Sequence, residues 1–125
     1  MGSKNKLKRF KDNDSFENVI QPSREEVLQG FSLKGKWHSF FNNSNPIVLE
    51  LGCGKGEYSV SLAEKFPEKN FIGIDIKGAR IWKGAKRALE SGFKNVAFLR
   101  TRIEFIERYR LFHATSFDEY VSKMW

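Results

Sequence analysis

The segment Ile47 to Gly56, IVLELGCGKG, constrains the fold more than any other part of the chain. Ile47 to Leu51 form a short apolar run that opens directly onto glycines at 52, 54 and 56. A run of this length ending in a glycine turn has the character of a parallel strand buried on both faces. Glycines at alternate positions let the backbone turn sharply and let a ligand approach bare main chain. Val60, Leu62, Ala63 and Phe66 then recur at helical spacing within 57–66, and Pro67 stops the pattern. Phe71, Ile72 and Ile74 make a second apolar strand ending at Asp75. Residues 79–91 read as a second helix with Gly92 as its C′ residue, and Val96, Phe98 and Leu99 as a third strand. The order β-α-β-α-β predicts an α/β fold, the first half of a doubly wound, mostly parallel sheet with right-handed crossovers. Upstream, Ser23 is a candidate N-cap, Glu25 and Glu26 favour the positive end of a helix, and Val27, Leu28 and Phe31 supply an apolar stripe.

Candidate chemistry concentrates at the glycine loop. Asp75 lies 19 residues after Gly56, at the end of the next strand, where an acid grips a ribose diol in nucleoside sites. A dinucleotide fingerprint starting at Gly52 needs glycine at position 57, which is Glu57. A P-loop needs G-K-[ST], which Gly54-Lys55-Gly56 does not supply. Glu50, at the end of the first strand, suits a cationic ligand group better than a pyrophosphate. S-adenosylmethionine has an ammonium group, a ribose and no phosphate, so Glu50 and Asp75 match its two polar ends. Cys53 reads as a small loop residue rather than a nucleophile. As the single cysteine it excludes an intramolecular disulfide and a cysteine zinc site. No His/Ser/Asp or His/Cys set has catalytic spacing, so a hydrolase or metalloenzyme has little support and no metal is expected. His38, between Trp37 and an aromatic pair, reads as a packing histidine, and Trp82 as a core residue.

The 125 residues carry a net charge of +7, unevenly placed. Residues 1–11 hold Lys4, Lys6, Lys8, Arg9 and Lys11 with no acid and without a helical stripe. This block reads as a mobile arm that lies along phosphates, where each neutralised phosphate releases counterions, or as a solubilising tail. In the second block Lys77, Arg80, Lys83, Lys86 and Arg87 recur on one helix face, with solvent as the plain alternative. Two such blocks in one chain favour a nucleic-acid partner. No apolar run approaches the roughly 18 residues of a membrane span, and the N-terminus has no signal-type apolar region. A soluble, cytoplasmic protein with no membrane partner is expected.

Glu50-Leu51-Gly52-Cys53-Gly54-Lys55-Gly56 followed by Gly73-Ile74-Asp75-Ile76 resembles motifs one and two of the class I S-adenosylmethionine-dependent methyltransferases. With the opening K-N-K-L-K-R-F, the phrase Phe16-Glu17-Asn18-Val19 and the stretch 71–80, the chain resembles the bacterial tRNA (guanine-N7)-methyltransferases over roughly residues 1–107. The resemblance implies a Rossmann-like fold with S-adenosyl-L-methionine as cofactor and tRNA as partner. It makes Glu50 and Asp75 cofactor contacts and sets the Gly52, Gly54 and Gly56 backbone against the methionine moiety. Arg102 and Ile103, in the segment after the third strand, would border the adenine, Ile76 would be a further cofactor contact, and Lys4, Lys6, Lys8, Arg9 and Lys11 would contact RNA. The implied reaction is in-line displacement of the methyl onto guanine N7, whose lone pair bears no proton, so alignment matters more than a general base.

Many members of that family carry an acid–alanine pair where Arg102-Ile103 stands. Their later aspartate-proline strand end and tRNA-holding basic residues have no counterpart after Glu107, and the segment 108–112 resembles a helix that lies further downstream. The expectation is a basic arm, residues 1–21, and a partial cofactor-binding domain, residues 22–125, either with a stretch missing near Glu107 or as a truncated or discontinuous version of a longer protein. Ile47-Val48-Leu49 would then be an exposed apolar sheet edge. Two other readings stay open: a catalytically incomplete fragment that binds cofactor or RNA, and a class I methyltransferase acting on a small molecule or a protein.

Overall fold

Consecutive apolar residues in a strand demand cover on both faces, and the chain supplies it. The computed structural model describes residues 3–102, 104–105 and 121–123. In chain order they form α1 (Ser3–Ser15), β1 (Val19–Ile20), α2 (Arg24–Gln29), α3 (Trp37–Phe41), β2 (Ile47–Leu51), α4 (Glu57–Lys65), β3 (Asn70–Asp75), α5 (Gly78–Ser91), β4 (Val96–Arg100) and β5 (Val121–Lys123). The strands make one parallel sheet in the order β1-β4-β3-β2-β5.

Strand alternation sorts the core into two layers. Ile47, Leu49, Leu51, Ile72, Ile74, Ala97 and Leu99 pack with Val27, Phe31, Trp37 and Phe41 from the segment carrying α2 and α3. Val48, Phe71, Val96 and Phe98 face the other way, onto Val60 and Ala63 of α4 and Ile81, Ala85 and Ala88 of α5. Two right-handed crossovers running in one direction across the sheet put α4 and α5 on the same face. The N-terminal helices α2 and α3 must cover the opposite face. The expected doubly wound α/β architecture is therefore the observed one.

Local signals set the element ends. Ser23 caps α2 in a reciprocal box: its hydroxyl accepts from the Glu26 N–H at 3.1 Å, and the Glu26 carboxylate accepts from the Ser23 N–H at 3.3 Å. Val27 and Phe31 are buried as expected, whereas Leu28 lies on the exposed side.

Three expectations are corrected. The N-terminal block is not a mobile arm: residues 3–15 are helical and packed on α5. The helix lacks an apolar stripe because polar groups hold it. The Asn13 amide donates to the Gly78 carbonyl at 2.8 Å, and the Trp82 indole N–H donates to the Asp12 carboxylate at 2.8 Å. The Arg9 guanidinium stacks 4.4 Å from the Trp82 ring centroid. Beyond the helix, Asn18 donates to the Ala85 carbonyl at 3.1 Å, and Val19 pairs with Phe98.

The second correction follows, since Trp82 is half-buried and links two helices rather than filling the core. The third concerns the sheet edge. β5 pairs in parallel with β2, Val121 opposite Leu49 and Lys123 opposite Glu50, so Ile47 to Leu49 are interior. Pairing removes the row of unsatisfied backbone groups that would make β2 a template for aggregation. The segment 108–112 and His113, for which the sequence raised readings, lie outside the described residues.

Candidate functional site

The carboxyl ends of β2, β3 and β4 converge on the glycine loop. β2 stands where the strand order reverses, with β3 on one side and β5 on the other. In open α/β sheets the crevice at such a switch point holds the ligand. The loop folds back over the end of β3: the Gly52 and Cys53 N–H groups both donate to the Ile74 carbonyl, at 2.7 and 2.9 Å.

Asp75 locks this arrangement. One carboxylate oxygen accepts from the Gly54 N–H at 2.8 Å and the other from the Lys77 N–H at 2.9 Å. The acid is half-buried, and a carboxylate retains further lone pairs after two such bonds. Glu50, at the end of β2, accepts from the Ser59 hydroxyl at 2.5 Å. Ser59 is buried in the first turns of α4, so the helix following the loop orients the acid preceding it. Sequence reading passed over Ser59, because a lone serine inside a helix carries no signal.

The three loop glycines differ in what surrounds them. A Cβ on Gly52 or Gly54 would meet nothing within 4 Å. On Gly56 it would overlap the Phe98 ring and lie 3.4 Å from the Gly84 Cα. A Cβ on Gly84, in turn, would come within 2.6 Å of the Lys55 carbonyl oxygen. Gly52 and Gly54 thus present bare backbone to open space, while Gly56 and Gly84 close the loop onto α5. Glycine in a helix interior costs about 1 kcal/mol, so Gly84 was the available sign of a close approach.

Cys53, buried between the two acids, has its thiol pushed far above the ordinary range, first by burial and then by the charges of Asp75 and Glu50. A thiol held protonated in this way is a poor nucleophile, in keeping with the reading of Cys53 as a small loop residue.

Beside Asp75, the exposed Ile76 side chain lines a cavity of about 230 Å³ together with Arg24, Thr101, Arg102 and Phe105. The structure therefore gathers Glu50, Gly52, Gly54 and Asp75 around one loop and brings Ile76 and Arg102 to an adjoining cavity. Gly56 belongs to the packing beneath the loop. Ile103 lies outside the described residues. Lys4, Lys6, Lys8, Arg9 and Lys11 sit apart from the loop, on α1. Among the described residues no group of three or more His, Cys, Asp or Glu side chains is placed to hold a metal ion, and no helix is long and apolar enough to cross a membrane.

Comparison with known proteins bears on the family and the fold. The chain is 72% identical over 109 residues to a protein of Christiangramia forsetii named tRNA (guanine-N(7)-)-methyltransferase, covering 86% of this chain and 49% of that protein. It is 67% identical over 100 residues to a protein of the same name from Porphyromonas gingivalis, covering 77% of this chain and 41% of that one. The chain thus spans about half the length of the curated relatives it matches. A solved structure described as an antibiotic related methyltransferase superposes with a TM-score of 0.51 at 22% identity, over 56% of this chain and 37% of that one, which supports the fold. The methyltransferase domain family matches residues 42–124, the segment that holds the glycine loop, both acids and strands β2 to β5 of the sheet, and the chain belongs to that family.

Proposed function

We propose that the protein transfers a methyl group from S-adenosyl-L-methionine to N7 of a guanine in tRNA, and that residues 22–125 hold the cofactor. One observation carries the reading: the loop clamped by Asp75 leaves the Gly52 and Gly54 α-carbons facing open space, with the carboxylates of Glu50 and Asp75 both close enough to act on Cys53 within it. The donor set fits the cofactor. Two carboxylates suit an ammonium and a ribose diol better than a pyrophosphate. Glu50, oriented by Ser59, would hold the ammonium end and Asp75 the ribose. Arg102 would border the adenine, as the family resemblance implies, from the adjoining cavity that Ile76 also lines.

When bound, the cofactor supplies an electrophilic methyl on a sulfonium. The chain's part is to fix its orientation and to exclude water from one side through the packed Gly56–Phe98–Gly84 floor. Guanine N7 carries no proton, so no general base is required, and the protonated Cys53 thiol takes no part. Alignment of two reactants can itself supply several kcal/mol of barrier lowering. The relatives' printed names and the basic blocks of this chain support tRNA as substrate, with Lys4, Lys6, Lys8, Arg9 and Lys11 as RNA contacts and the cytoplasm as the site of action.

The test is transfer of labelled methyl from S-adenosylmethionine to bulk tRNA, with N7-methylguanosine quantified after digestion. Calorimetry with adenosylhomocysteine runs beside it. Binding of adenosylhomocysteine with no label in N7-methylguanosine would refute the substrate assignment. Absence of adenosylhomocysteine binding would refute the cofactor site.

A further inference from the structure

The charge of this molecule is concentrated on two helices that touch. Residues 3–15 carry five basic and two acidic side chains, and α5 carries four basic and one acidic. Together they account for +6 of the chain's +7. In the fold α1 lies against α5, so two sequence blocks some seventy residues apart become one surface.

The basic residues divide into two groups. Arg9 and Lys86 are drawn in toward Trp82, their cationic groups 4.4 and 4.9 Å from its ring centroid, and Arg9 also donates to the Ala79 carbonyl at 3.3 Å. Arg9 braces the helix pair, while Lys86 packs on the ring within its own helix. Lys6, Lys8 and Lys11 on α1 and Arg80, Lys83 and Arg87 on α5 are exposed. Among the described residues, Lys8 pairs with Asp12 at 2.9 Å and Lys83 stands 3.9 Å from Glu57, while Lys6, Lys11, Arg80 and Arg87 pair with no carboxylate. Arg80 and Arg87 lie about 10 Å apart along the helix axis. Like charges closer than about a Debye length repel, so fixing α1 here works against the compact state unless a polyanion relieves it.

We infer that α1 and α5 form a preassembled docking face for the phosphate backbone of RNA, with Trp82 as the bracket that joins them. This rests on the tRNA reading above and goes beyond it: the N-terminal block binds as an ordered helix, and the outward residues of α5 complete the surface. A lipid surface fits less well. Of the apolar side chains of α1, Leu7 is exposed, but Phe10 lies under Lys6 and Arg100, so the helix has no apolar band to insert.

The test compares tRNA binding by the wild-type chain, by Arg80→Gln/Lys83→Gln/Arg87→Gln, and by Lys34→Gln/Lys36→Gln/Lys65→Gln, which removes the same charge from exposed sites elsewhere. Glutamine is a good helix former, and unchanged adenosylhomocysteine binding reports an intact fold. Loss of three phosphate contacts flattens the plot of log affinity against log salt by about 2 units. At low salt the α5 variant is expected to bind tRNA at least tenfold more weakly than wild type, and the control variant within a few-fold. Equal behaviour of the two variants would overturn the docking face while leaving the methyltransferase reading intact. A wild-type chain that binds adenosylhomocysteine but does not retain tRNA would overturn both. Tighter binding to poly-L-glutamate or to anionic vesicles than to tRNA would overturn the choice of partner.

Discussion

Replacing Gly54 and Gly56 by alanine, one at a time, separates ligand space from packing within a single loop. Both residues have left-handed backbones, with φ of 57° and 73°, so each alanine costs about 1–2 kcal/mol for its Cβ in that conformation. At Gly54 nothing more is added, because the new methyl enters open space. At Gly56 the methyl enters the Phe98 ring, which is fully buried, and overpacking of that kind adds about 1–3 kcal/mol. Totals of about 1–2 and about 2–5 kcal/mol follow, against a whole-domain stability of roughly 5–15 kcal/mol. By thermal unfolding, Gly54→Ala should lower Tm by about 5 °C and Gly56→Ala by about 10 °C or more. Calorimetry at low temperature should show the converse ranking in ligand effect. Gly54→Ala, placing a methyl against the cofactor, should weaken adenosylhomocysteine binding at least tenfold while remaining folded. Wild-type affinity in Gly54→Ala would refute the claim that this α-carbon faces the cofactor. Equal stability of the two variants would refute the packing role of Gly56.

Two further outcomes follow from the same contacts. Asp75→Asn keeps the shape but removes the charge and turns an amide N–H toward backbone donors. Adenosylhomocysteine affinity should fall by about tenfold to a hundredfold, and unchanged affinity would mean that Asp75 serves only the loop. Docking of α1 should be acid-sensitive. The Asp12 carboxyl is held below its ordinary value of 3.8, first by the hydrogen bond from Lys8 and then by that from Trp82. A depressed carboxyl contributes stability that is present above 3.8 and lost as the pH falls below it. Pepsin should therefore begin to cleave α1 below about pH 4, and Trp82→Phe should speed tryptic cleavage after Lys8, Arg9 or Lys11 severalfold at neutral pH. Equal tryptic cleavage rates with and without the indole N–H would remove Trp82 from its bracing role.

The central run from β2 to β4 was legible almost residue by residue. Its strands are short apolar runs ended by turn residues, and its helices carry a regular stripe, so local periodicity and sterics define them. The two acids were legible as well, because Glu50 and Asp75 sit at strand ends where the fold always builds its crevice. The capping of α2 by Ser23 followed from two residues three apart. The helical state of α1 was not legible, because no apolar stripe announces it. Its support comes from Asn13 to Gly78 and from Trp82 to Asp12, bonds that span 65 and 70 residues. β1 is two residues long and β5 three, below the length at which alternation can be read, and each exists only because a neighbouring strand offers a backbone edge.

The sequence by itself determined that this chain winds a parallel sheet with a glycine loop at its crevice and an acid on either side. Spacing, turn chemistry and the apolar character of each strand are local properties, readable within a few residues of the chain. Only the tertiary structure decided which glycines face open space and which face Phe98, since that depends on how closely α5 approaches the loop. The same is true of the positive charge. Its total is a property of the sequence, but bringing its two blocks side by side required α1 to dock on α5 through contacts between residues far apart in the chain.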